Sequence, residues 1–448
     1  MRRRVELGGE RVCGPEGLFC AIIIAVDKSL CALIVFIAAY TFFIIAPRRR
    51  MLTALGASLI LVLAKVISLP DAFLAVNWNV MGIFVGTLIV ADIFMESRVP
   101  AYLAEMIVSR ARSTGWAIVF ICVLTGFISA FVENVATVLI VAPIALSLAR
   151  KLAINPTQMM VALAVSSNLQ GCATLIGDPP SMLLGGFAGM NFGDFFVYQG
   201  RPSIFFAVEL GALVSFMVLY WFFRPLRQKV VPVPEETVRS WVPAVILTAL
   251  IAALAAASFF DTGFSSLAGI VCMLFGAGAF LWQKIVYKGS LITRIRSLDW
   301  ETTFFLIGVF VLVGSLTLNG WIERIALGLS GIVGTHMLWG YVLLILIAVV
   351  VSAFVDNVPF LAAMLPVAIA MGRALQVDPT VFLFGLLIGA SLGGNITPIG
   401  AAANIVACGI LKKEGYNVSF RQFASIGIPF TLAAVSAAGV FVWLIWGG

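Results

Sequence analysis

A polar segment at residues 166–180 interrupts a long apolar stretch of the chain, and it restricts how the surrounding residues can fold. Gly171 and Gly177 weaken a helix at this point, and Pro179 and Pro180 remove two backbone donors. The carbonyl and amide groups that such a break releases cannot stay unpaired in hydrocarbon, so they must lie inside protein or beside a water-filled cavity. We therefore predict a broken helix here, and we call this segment break 1.

The same pattern returns in the second half of the chain. Thr-Leu-Ile-Gly at 174–177 becomes Thr-Pro-Ile-Gly at 397–400, inside a second polar segment at 391–404 that we call break 2. We call the shift in numbering that carries 174 onto 397 the repeat offset. The same shift carries Phe-Val-Glu-Asn-Val at 131–135 onto Phe-Val-Asp-Asn-Val at 354–358, which indicates an internal duplication. Interrupted helices at matching positions of two halves are a sequence sign of a transporter's binding site.

Composition limits the class of protein. Of the 448 residues, 62% are hydrophobic and 11% are charged, which is more apolar surface than a soluble fold can cover. The net charge of +7 comes from cations in short loops between apolar segments, so it reports membrane orientation and not nucleic-acid binding. The sequence has no Walker motif, glycine-rich phosphate loop or nucleophilic triad, so we expect neither an enzyme nor a pump powered by its own ATP hydrolysis.

Cysteine and histidine usage argues against metal chemistry. The seven cysteines are scattered without a Cys-x-x-Cys pair, and His336 is the single histidine. Cys172 lies within break 1 but has no partner thiol nearby in the sequence, so we interpret it as a small buried hydrophobe. We predict no metal site and no cofactor apart from a proton or sodium ion that is coupled to transport.

These features predict an all-α integral membrane protein with about ten transmembrane helices in two inverted repeats, each with a re-entrant helical hairpin and a broken helix. The predicted division is a lead-in (1–28), repeat 1 (29–223), a linker (224–240) and repeat 2 (241–448). Spans are predicted at 29–46, 51–69, 78–95 and 203–223, and at about 241–260, 264–284, 300–319 and 422–446. Hairpins at 115–149 and 336–372, broken crossings at 157–188 and 380–410, and interfacial helices at 99–111 and 321–333 complete the repeats. Each repeat crosses about five times, and an odd number turns the second copy upside down.

The distribution of Lys and Arg predicts the orientation in the membrane. Most of these cations fall in loops that follow odd-numbered crossings, and cytoplasmic loops carry such an excess. The 224–240 loop is therefore predicted to be cytoplasmic and the C-terminus extracytoplasmic, in a multi-pass protein of the cell (cytoplasmic or inner) membrane. Arg2, Arg3 and Arg4 oppose this orientation, so the side of the N-terminus stays open.

Three acidic residues are candidates for coupling transport to a proton or cation, because charges within spans are costly and usually functional. Glu133 and Asp356 occupy equivalent tips of the two hairpins, and Asp178 precedes the prolines of break 1. The alternative is structural, since a carboxylate can cap its own half-helix or pair with a buried partner. Asp92 and Glu209 have no acidic counterpart at the repeat offset, and we rank them lower.

Neutral polar side chains in the tips and breaks are candidates for the substrate site. Their hydroxyl and amide groups, with unwound backbone carbonyls, suit Na⁺ or a small hydroxylated solute. Singly, each is more often a satisfied structural hydrogen bond, but duplicated clusters favour a site. The predicted substrate-binding residues are Asn134, Thr137, Asn168, Thr174, Asn357, Ser391, Asn395, Thr397 and Asn404.

These motifs resemble the ion transporter superfamily, in the branch with the arsenite permeases, the melanosomal P protein, plant silicon exporters and some sodium/proton antiporters. The resemblance runs from about residue 30 to the C-terminus and rests on the runs at 131–137, 168–180, 297–308, 354–359 and 393–404. It implies an elevator mechanism, in which a transport domain moves against a scaffold domain. The scaffold would be 29–113 with 224–336, and the transport part 114–223 with 337–448.

The first half departs from the pattern of that branch at four positions. Glu133 stands where Asp is usual, and Gln170 stands where Gly is usual. Cys172 replaces the usual Thr, and Ser181 replaces the usual Asn. All four lie in the hairpin and break of repeat 1, so they bear on the selectivity of that half.

The resemblance implies a secondary active transporter. We predict proton-coupled export of a small inorganic solute, arsenite or antimonite, because the neutral trihydroxide suits a cage of Asn, Ser and Thr side chains.

One alternative is a sodium/proton antiporter that uses the same carboxylates. Another is a carrier of dicarboxylates or other anions, which the absence of Arg and Lys from both breaks disfavours. A third is a pore subunit with a soluble ATPase as its partner. The lipid bilayer and the solute are the other expected partners.

Overall fold

Two series of ten α-helices make up the part of the chain that the structure describes. This computed structural model describes residues 15–152, 154–229, 237–261, 263–287, 291–333 and 336–448. Residues 1–14 of the predicted lead-in and 230–236 of the predicted linker lie outside the described residues.

The helices are named in chain order. The first series is α1 (Pro15–Ile45), α2 (Arg50–Leu63), α3 (Leu69–Ala75), α4 (Trp78–Glu96), α5 (Val99–Ser109), α6 (Thr114–Ser129), α7 (Asn134–Lys151), α8 (Thr157–Gly171), α9 (Pro179–Ala188) and α10 (Ile204–Phe223). The second series is α11 (Val242–Ala257), α12 (Leu267–Tyr287), α13 (Leu291–Ser297), α14 (Trp300–Leu318), α15 (Trp321–Val333), α16 (Met337–Ser352), α17 (Asn357–Leu375), α18 (Thr380–Gly393), α19 (Ala402–Lys413) and α20 (Phe420–Trp446). Short 3₁₀ turns lie at Pro47–Arg49, Gly193–Phe195 and Gly394–Ile396, and strands β1 (Val197–Tyr198) and β2 (Arg201–Pro202) form an antiparallel hairpin between α9 and α10.

The duplication seen in the sequence extends to the helices. From α3 with α13 to α9 with α19, each helix of the second series begins at the position that the repeat offset gives, or directly before it. α6 and α16 each contain 16 residues, and α8 and α18 contain 15 and 14. The chain is an all-α membrane protein built from two copies of one ten-helix unit.

Eight helices among the described residues are long and apolar enough to cross a membrane. They are the 28–45 part of α1, with α4, α7, α10, α12, α14, α17 and α20. A crossing needs about 20 apolar residues, and the arms α6 and α16 and the pieces of the two broken helices are shorter than this. The predicted count of about ten excludes the hairpin arms α7 and α17, so it requires the 14-residue α2, the 16-residue α11 and the paired short pieces of each broken helix to provide the other four crossings.

One predicted boundary in repeat 1 was wrong. The predicted span 29–46 agrees with the apolar part of α1 at 28–45, although the helix itself runs from Pro15 to Ile45. We predicted a span at 51–69, but α2 ends at Leu63. Lys65 has a φ of 55°, in the left-handed region that stops a helix, and the next helix restarts at Leu69 with Ser68 as its cap.

Both hairpins and both breaks are where the sequence placed them. Residues 130–133 separate α6 from α7, and residues 353–356 separate α16 from α17. Together with the first residue of the following helix, they form tip 1 (130–134) and tip 2 (353–357). In break 1, α8 ends at Gly171 and α9 begins at Pro179, as the glycines and prolines predicted. Break 2 ends α18 at Gly393 and begins α19 at Ala402.

The largest helix–helix contacts each join helices that were assigned to the same predicted part. In the scaffold part, α4 packs on α12 and α2 packs on α14; in the transport part, α6 packs on α8, α16 on α18 and α10 on α20. The α4–α12 contact is close because Gly82 lies against Gly269 and Gly86 against Cys272, where an added Cβ would meet the partner backbone. The interfacial helices α5 and α15 pack on α6 and α17, so they connect the two parts. The division into a fixed scaffold and a moving transport part remains a prediction.

The inverted arrangement of the repeats can be tested by labelling. Thr237→Cys and Ser266→Cys place thiols at two exposed positions on opposite predicted sides of the membrane. We expect a membrane-impermeant maleimide to reach the first only from the cytoplasm and the second only from outside. Labelling of both from one side would rule out inverted repeats.

Candidate functional site

The two hairpin tips and the two breaks open onto one cavity. Its open space of about 510 Å³ includes solvent at the mouth, and water-sized molecules fit into about 70 Å³ of it. The cavity also touches helices α2 and α14 of the scaffold part. Its lining is Arg50, Glu133, Asn134, Val135, Asn168, Asp178, Pro179, Pro180, Asp299, Thr302, Asp356, Asn357, Val358, Ala401, Ala402 and Ala403. All three predicted coupling residues, and three of the nine predicted substrate residues, therefore share one space.

Tip 1 presents a carboxylate and an amide to this cavity. Glu133 is the N-cap of α7, and its carboxylate accepts a hydrogen bond of 2.9 Å from the Ala136 amide. The Asn134 side-chain oxygen accepts from Ser129 Oγ at 2.5 Å, which fixes the orientation of this amide. The capping role that we weighed against proton coupling is present, but it occupies only one edge of the Glu133 carboxylate.

Break 1 places a second carboxylate beside tip 1. Asp178 caps α9, because its Oδ1 accepts from the Ser181 amide at 3.1 Å and from Ser181 Oγ at 2.8 Å. Its Oδ2 is buried and has no hydrogen-bond partner among the described residues. A buried, unpaired carboxylate oxygen is costly unless a proton or cation occupies it. The matching position in repeat 2 is Ala401, so this carboxyl belongs to one half only.

The two threonines of the breaks act as structural links. Thr174 Oγ1 donates to the Ala130 carbonyl of tip 1, and Thr397 Oγ1 donates to the Ala353 carbonyl of tip 2 at 2.5 Å. Gly177 and Gly400 allow the same contact, since a Cβ on either residue would lie 2.9 Å from the same tip carbonyl. Each tip is thereby attached to its own break.

A buried amide cluster joins the two breaks to each other. The Asn168 amide nitrogen donates to Asn395 Oδ1 at 2.8 Å and to Asn404 Oδ1 at 2.9 Å. The Asn404 amide nitrogen in turn donates to the carbonyls of Gly394 and Thr397, both at 2.9 Å. The cluster satisfies the carbonyls of the unwound chain, as membrane depth requires.

Tip 2 is held by the scaffold part. Arg50 at the start of α2 donates from Nη1 to Asp356 Oδ2 at 2.5 Å and from Nη2 to Thr302 Oγ1 at 3.1 Å. Thr302 Oγ1 donates to Asp299 Oδ2 at 2.6 Å, which completes a polar chain along one wall of the cavity. Tyr40 on α1 also donates to the Pro359 carbonyl at 2.7 Å. Among the described residues, Glu133 at tip 1 has no corresponding ion pair.

The other six predicted substrate residues lie behind the cavity wall. They are Thr137, Thr174, Ser391, Asn395, Thr397 and Asn404, and all are buried. Thr137 Oγ1 donates to the Glu133 carbonyl at 3.1 Å, and Cys172, which we predicted to be packing, is buried with its thiol donating to Leu169. These residues shape the wall in this conformation, and their role as substrate ligands remains a prediction.

Sequence reasoning missed the scaffold contribution. Arg50, Asp299 and Thr302 line the cavity, but they come from segments far from the breaks in sequence. Asp299 had one signal: it lies in the run 297–308 that carries the family resemblance. Arg50 had none, because it looked like one of several loop arginines. In the described part of the chain, no three acidic, cysteine or histidine side chains form a group suited to a metal ion.

A second polar cluster connects the two predicted parts away from the cavity. The Asn191 amide nitrogen donates to the Asp261 carbonyl at 2.9 Å and to the Ser258 carbonyl at 3.3 Å. The Gly193 amide donates to Ser258 Oγ at 2.8 Å. Burial raises the pKa of the nearby Asp194 carboxyl, and the charge of Asp261 raises it further.

Comparison with known families gives a match over most of the chain. The family described as citrate transporter matches residues 40–288 and 270–447. Together these ranges include both tips, both breaks and Arg50.

Curated relatives match at moderate identity. An uncharacterized transporter of Mycobacterium tuberculosis (strain ATCC 25618 / H37Rv) is 28% identical over 424 residues, covering 93% of this chain and 98% of that protein. An uncharacterized transporter of Synechocystis is 26% identical over 416 residues, covering 87% and 92%. The P protein of Mus musculus, a member of the branch that the motifs resemble, is 24% identical over 491 residues and matches 88% of this chain but 57% of its own length.

Two solved transporters share the fold. The YdaH transporter of Alcanivorax borkumensis aligns with a TM-score of 0.55 at 15% identity, covering 97% of this chain and 90% of that one. MtrF of Neisseria gonorrhoeae aligns with a TM-score of 0.57 at 13% identity, covering 94% and 95%. At these identities the likeness concerns the fold alone.

Proposed function

This chain belongs to the citrate transporter family, and from that premise we propose that it is a secondary active transporter that exports arsenite or antimonite in exchange for protons. Membrane transport follows from the family and agrees with the relatives described as transporters. The family likeness to the ion transporter superfamily that the motifs indicated is confirmed. The cargo and the coupling ion are the proposed elements.

The observation that carries the proposal is the chemistry of the shared cavity. Four carboxyl groups line it, from Glu133, Asp178, Asp299 and Asp356, against the single guanidinium of Arg50. That guanidinium is already paired with Asp356. A surplus of acidic groups repels free anions but can accept hydrogen bonds from the hydroxyls of a neutral trihydroxide. The amides of Asn134, Asn168 and Asn357 add both donors and acceptors.

Proton coupling would use the tip 1 side of the cavity. Glu133 lies near Asp178 and Asp299, and a charge on either of these carboxylates disfavours a charge on Glu133. Neighbouring carboxylates cannot all be charged without a large cost, and a proton shared among them relieves the repulsion. Entry of one proton for each neutral solute exported moves one charge, which supplies about 2.3 kcal/mol per 100 mV.

Movement of the transport part against the scaffold would break specific contacts. Three of them cross the predicted boundary: Arg50 to Asp356, Tyr40 to the Pro359 carbonyl, and Asn191 to the Asp261 carbonyl. The cavity is bordered by the starts of α2 and α14, which both follow loops predicted to be cytoplasmic. An exporter loads its solute from that side.

A carrier of carboxylate anions is the second candidate. The description of the family favours it, and so does Arg50, which places a cation in the cavity although both breaks lack one. Arg can bind a carboxylate with two parallel hydrogen bonds. An anion would have to displace Asp356 from Arg50, or arrive when Asp356 is protonated.

The cargo can be tested in cells sensitive to arsenite. Expression of the chain should lower arsenite accumulation, and dissipating the proton gradient should restore it, because export then loses its driving force. Inverted vesicles with an imposed pH gradient should take up arsenite faster than citrate, silicate or Na⁺. Asp178→Asn supplies the matched control for proton coupling. Asparagine keeps the shape of the N-cap of α9 but cannot carry the negative charge.

Other outcomes would change the assignment. Citrate uptake without arsenite movement would establish the anion carrier, and Na⁺-dependent proton movement alone would establish the antiporter. Arsenite export that persists with an uncoupler would indicate a pore, as expected for a subunit that works with a soluble ATPase.

A further inference from the structure

An open groove lies where α6 begins and α10 ends. It has an open volume of about 1,090 Å³ and is lined by Ser113, Gly115, Trp116, Tyr220, Arg224, Pro225 and Arg227. Two of these seven residues are basic and none is acidic. The groove therefore combines cationic and aromatic side chains at the ends of two apolar helices.

The aromatic and cationic side chains of the groove are arranged together. The rings of Trp116 and Tyr220 lie 4.7 Å apart between centroids, one from each helix. The Arg224 guanidinium lies 5.4 Å from the centre of the Trp221 ring. Trp and Tyr rings prefer the level of lipid headgroups, so this corner has the character of a membrane interface.

The positive charge extends beyond the groove along both chain segments that meet there. Arg110 and Arg112 precede α6, and Lys229 follows Arg227; all are exposed. These residues belong to loops that follow odd-numbered crossings, which the distribution of Lys and Arg assigns to the cytoplasmic side. The cytoplasmic leaflet carries anionic lipids that attract such cations.

The matching corner of repeat 2 keeps aromatic residues but has no counterpart of Arg224. The repeat offset carries Trp116 onto Trp339 and Tyr220 onto Trp443, and it carries Arg224 onto Gly447. In inverted repeats this corner faces the other side of the membrane. Arg224 therefore occurs only in the corner on the predicted cytoplasmic side of the membrane, where anionic headgroups are expected.

We propose that this groove binds the phosphodiester headgroup of an anionic phospholipid from the cytoplasmic leaflet. The guanidinium groups of Arg224 and Arg227 would bind the phosphate oxygens, since arginine matches phosphate with paired hydrogen bonds. Trp116 and Tyr220 would pack against the glycerol and the first carbons of the acyl chains. Free inorganic phosphate would lack this second contact.

The position of the groove gives the lipid a mechanical role. The chain enters the first transport segment at residues 113–114 and leaves it at 223–224, and these two connections are tied together. The amides of Thr114 and Gly115 donate to the carbonyls of Gln228 and Leu226, each at 3.0 Å. A headgroup bound here would contact both connections. It would therefore strengthen the link between them, at the place where the predicted transport part joins the rest of the chain.

Lipid binding by the purified protein tests the proposal without reference to any cargo. Arg224→Gln with Arg227→Gln should weaken binding of phosphatidylglycerol, measured by native mass spectrometry in detergent, by about thirtyfold, roughly fivefold for each arginine. Lys412→Gln with Lys413→Gln removes two exposed cations on the same predicted side and should leave binding unchanged. Arg224→Lys with Arg227→Lys keeps the charge but loses the paired hydrogen bonds, so it should bind the lipid more tightly than the glutamine pair and more weakly than the unmodified protein.

Three results would overturn the proposal. The first is a loss of phosphatidylglycerol binding in the Lys412 and Lys413 variant as large as that in the arginine variant. The second is binding of phosphatidylcholine as tight as that of phosphatidylglycerol. The third is binding of inorganic phosphate alone as tight as that of the lipid. A size-exclusion profile identical to that of the unmodified protein shows that each variant is folded. If the glutamine pair fails to fold, Arg224→Gln alone should still weaken binding about fivefold.

Discussion

Glu133→Gln should reduce proton-driven transport to the level of vesicles that lack the protein. Glutamine keeps the size of the side chain and can still accept the hydrogen bond from the Ala136 amide, so the cap of α7 is preserved. It cannot take up and release a proton in each cycle. Transport is measured as solute uptake into vesicles under an imposed pH gradient.

A matched control separates this effect from a general loss of acidic charge. Glu323→Gln changes an exposed acidic residue of α15 that is not part of the cavity lining, and it should transport at the unmodified rate. Asp178→Asn should share the defect of Glu133→Gln, because both carboxyls face the same space. If both neutral variants transport normally with unchanged pH dependence, coupling lies elsewhere, and Asp92 and Glu209 become the residues to test.

Arg50→Met should lower the free energy of unfolding by about 1.5–3 kcal/mol, the range for a hydrogen bond to a charged group, because this ion pair is partly exposed. The Asp356 carboxylate would lose its 2.5 Å contact and remain partly buried without a cation. Adding Asp356→Asn should recover most of that stability, since the uncompensated charge is gone. Thermal unfolding of the two single variants and the double variant gives the coupling energy.

The chain provides a matched arginine for this experiment. Arg50 lies 5.0 Å from the Phe305 ring centre, and Arg324 lies 5.0 Å from the Trp321 ring centre. Arg324→Met removes a similar ring contact at an exposed position and should cost less than about 1 kcal/mol. A cost for Arg50→Met equal to that of Arg324→Met would mean that the ion pair does not hold tip 2.

The sequence predicted where the breaks and tips lie, although the residues outside the α-helices, 172–178 and 394–401, are fewer than the predicted segments 166–180 and 391–404. Clustered glycines and prolines favour a break through local chemistry, and a shared offset relates the two copies without any knowledge of packing. The same reasoning could not find Arg50, because its meeting with Asp356 depends on how α2 packs beside tip 2. It also could not separate lining from supporting residues. Thr174 and Asn134 look alike as polar groups in a motif, yet one links a tip to its break and the other faces the cavity.

The amide cluster carries a consequence for the assembly of the two halves. The two copies of the duplicated unit differ at the residues that join the breaks. The position of Asn168 is Ser391 in the second copy, and the positions of Asn395 and Asn404 are Cys172 and Ser181 in the first. Two copies of either half would lack the Asn168 bonds that now join the breaks. The amides of the two breaks are therefore complementary, and we expect coexpressed halves to assemble with each other more readily than either half assembles with itself.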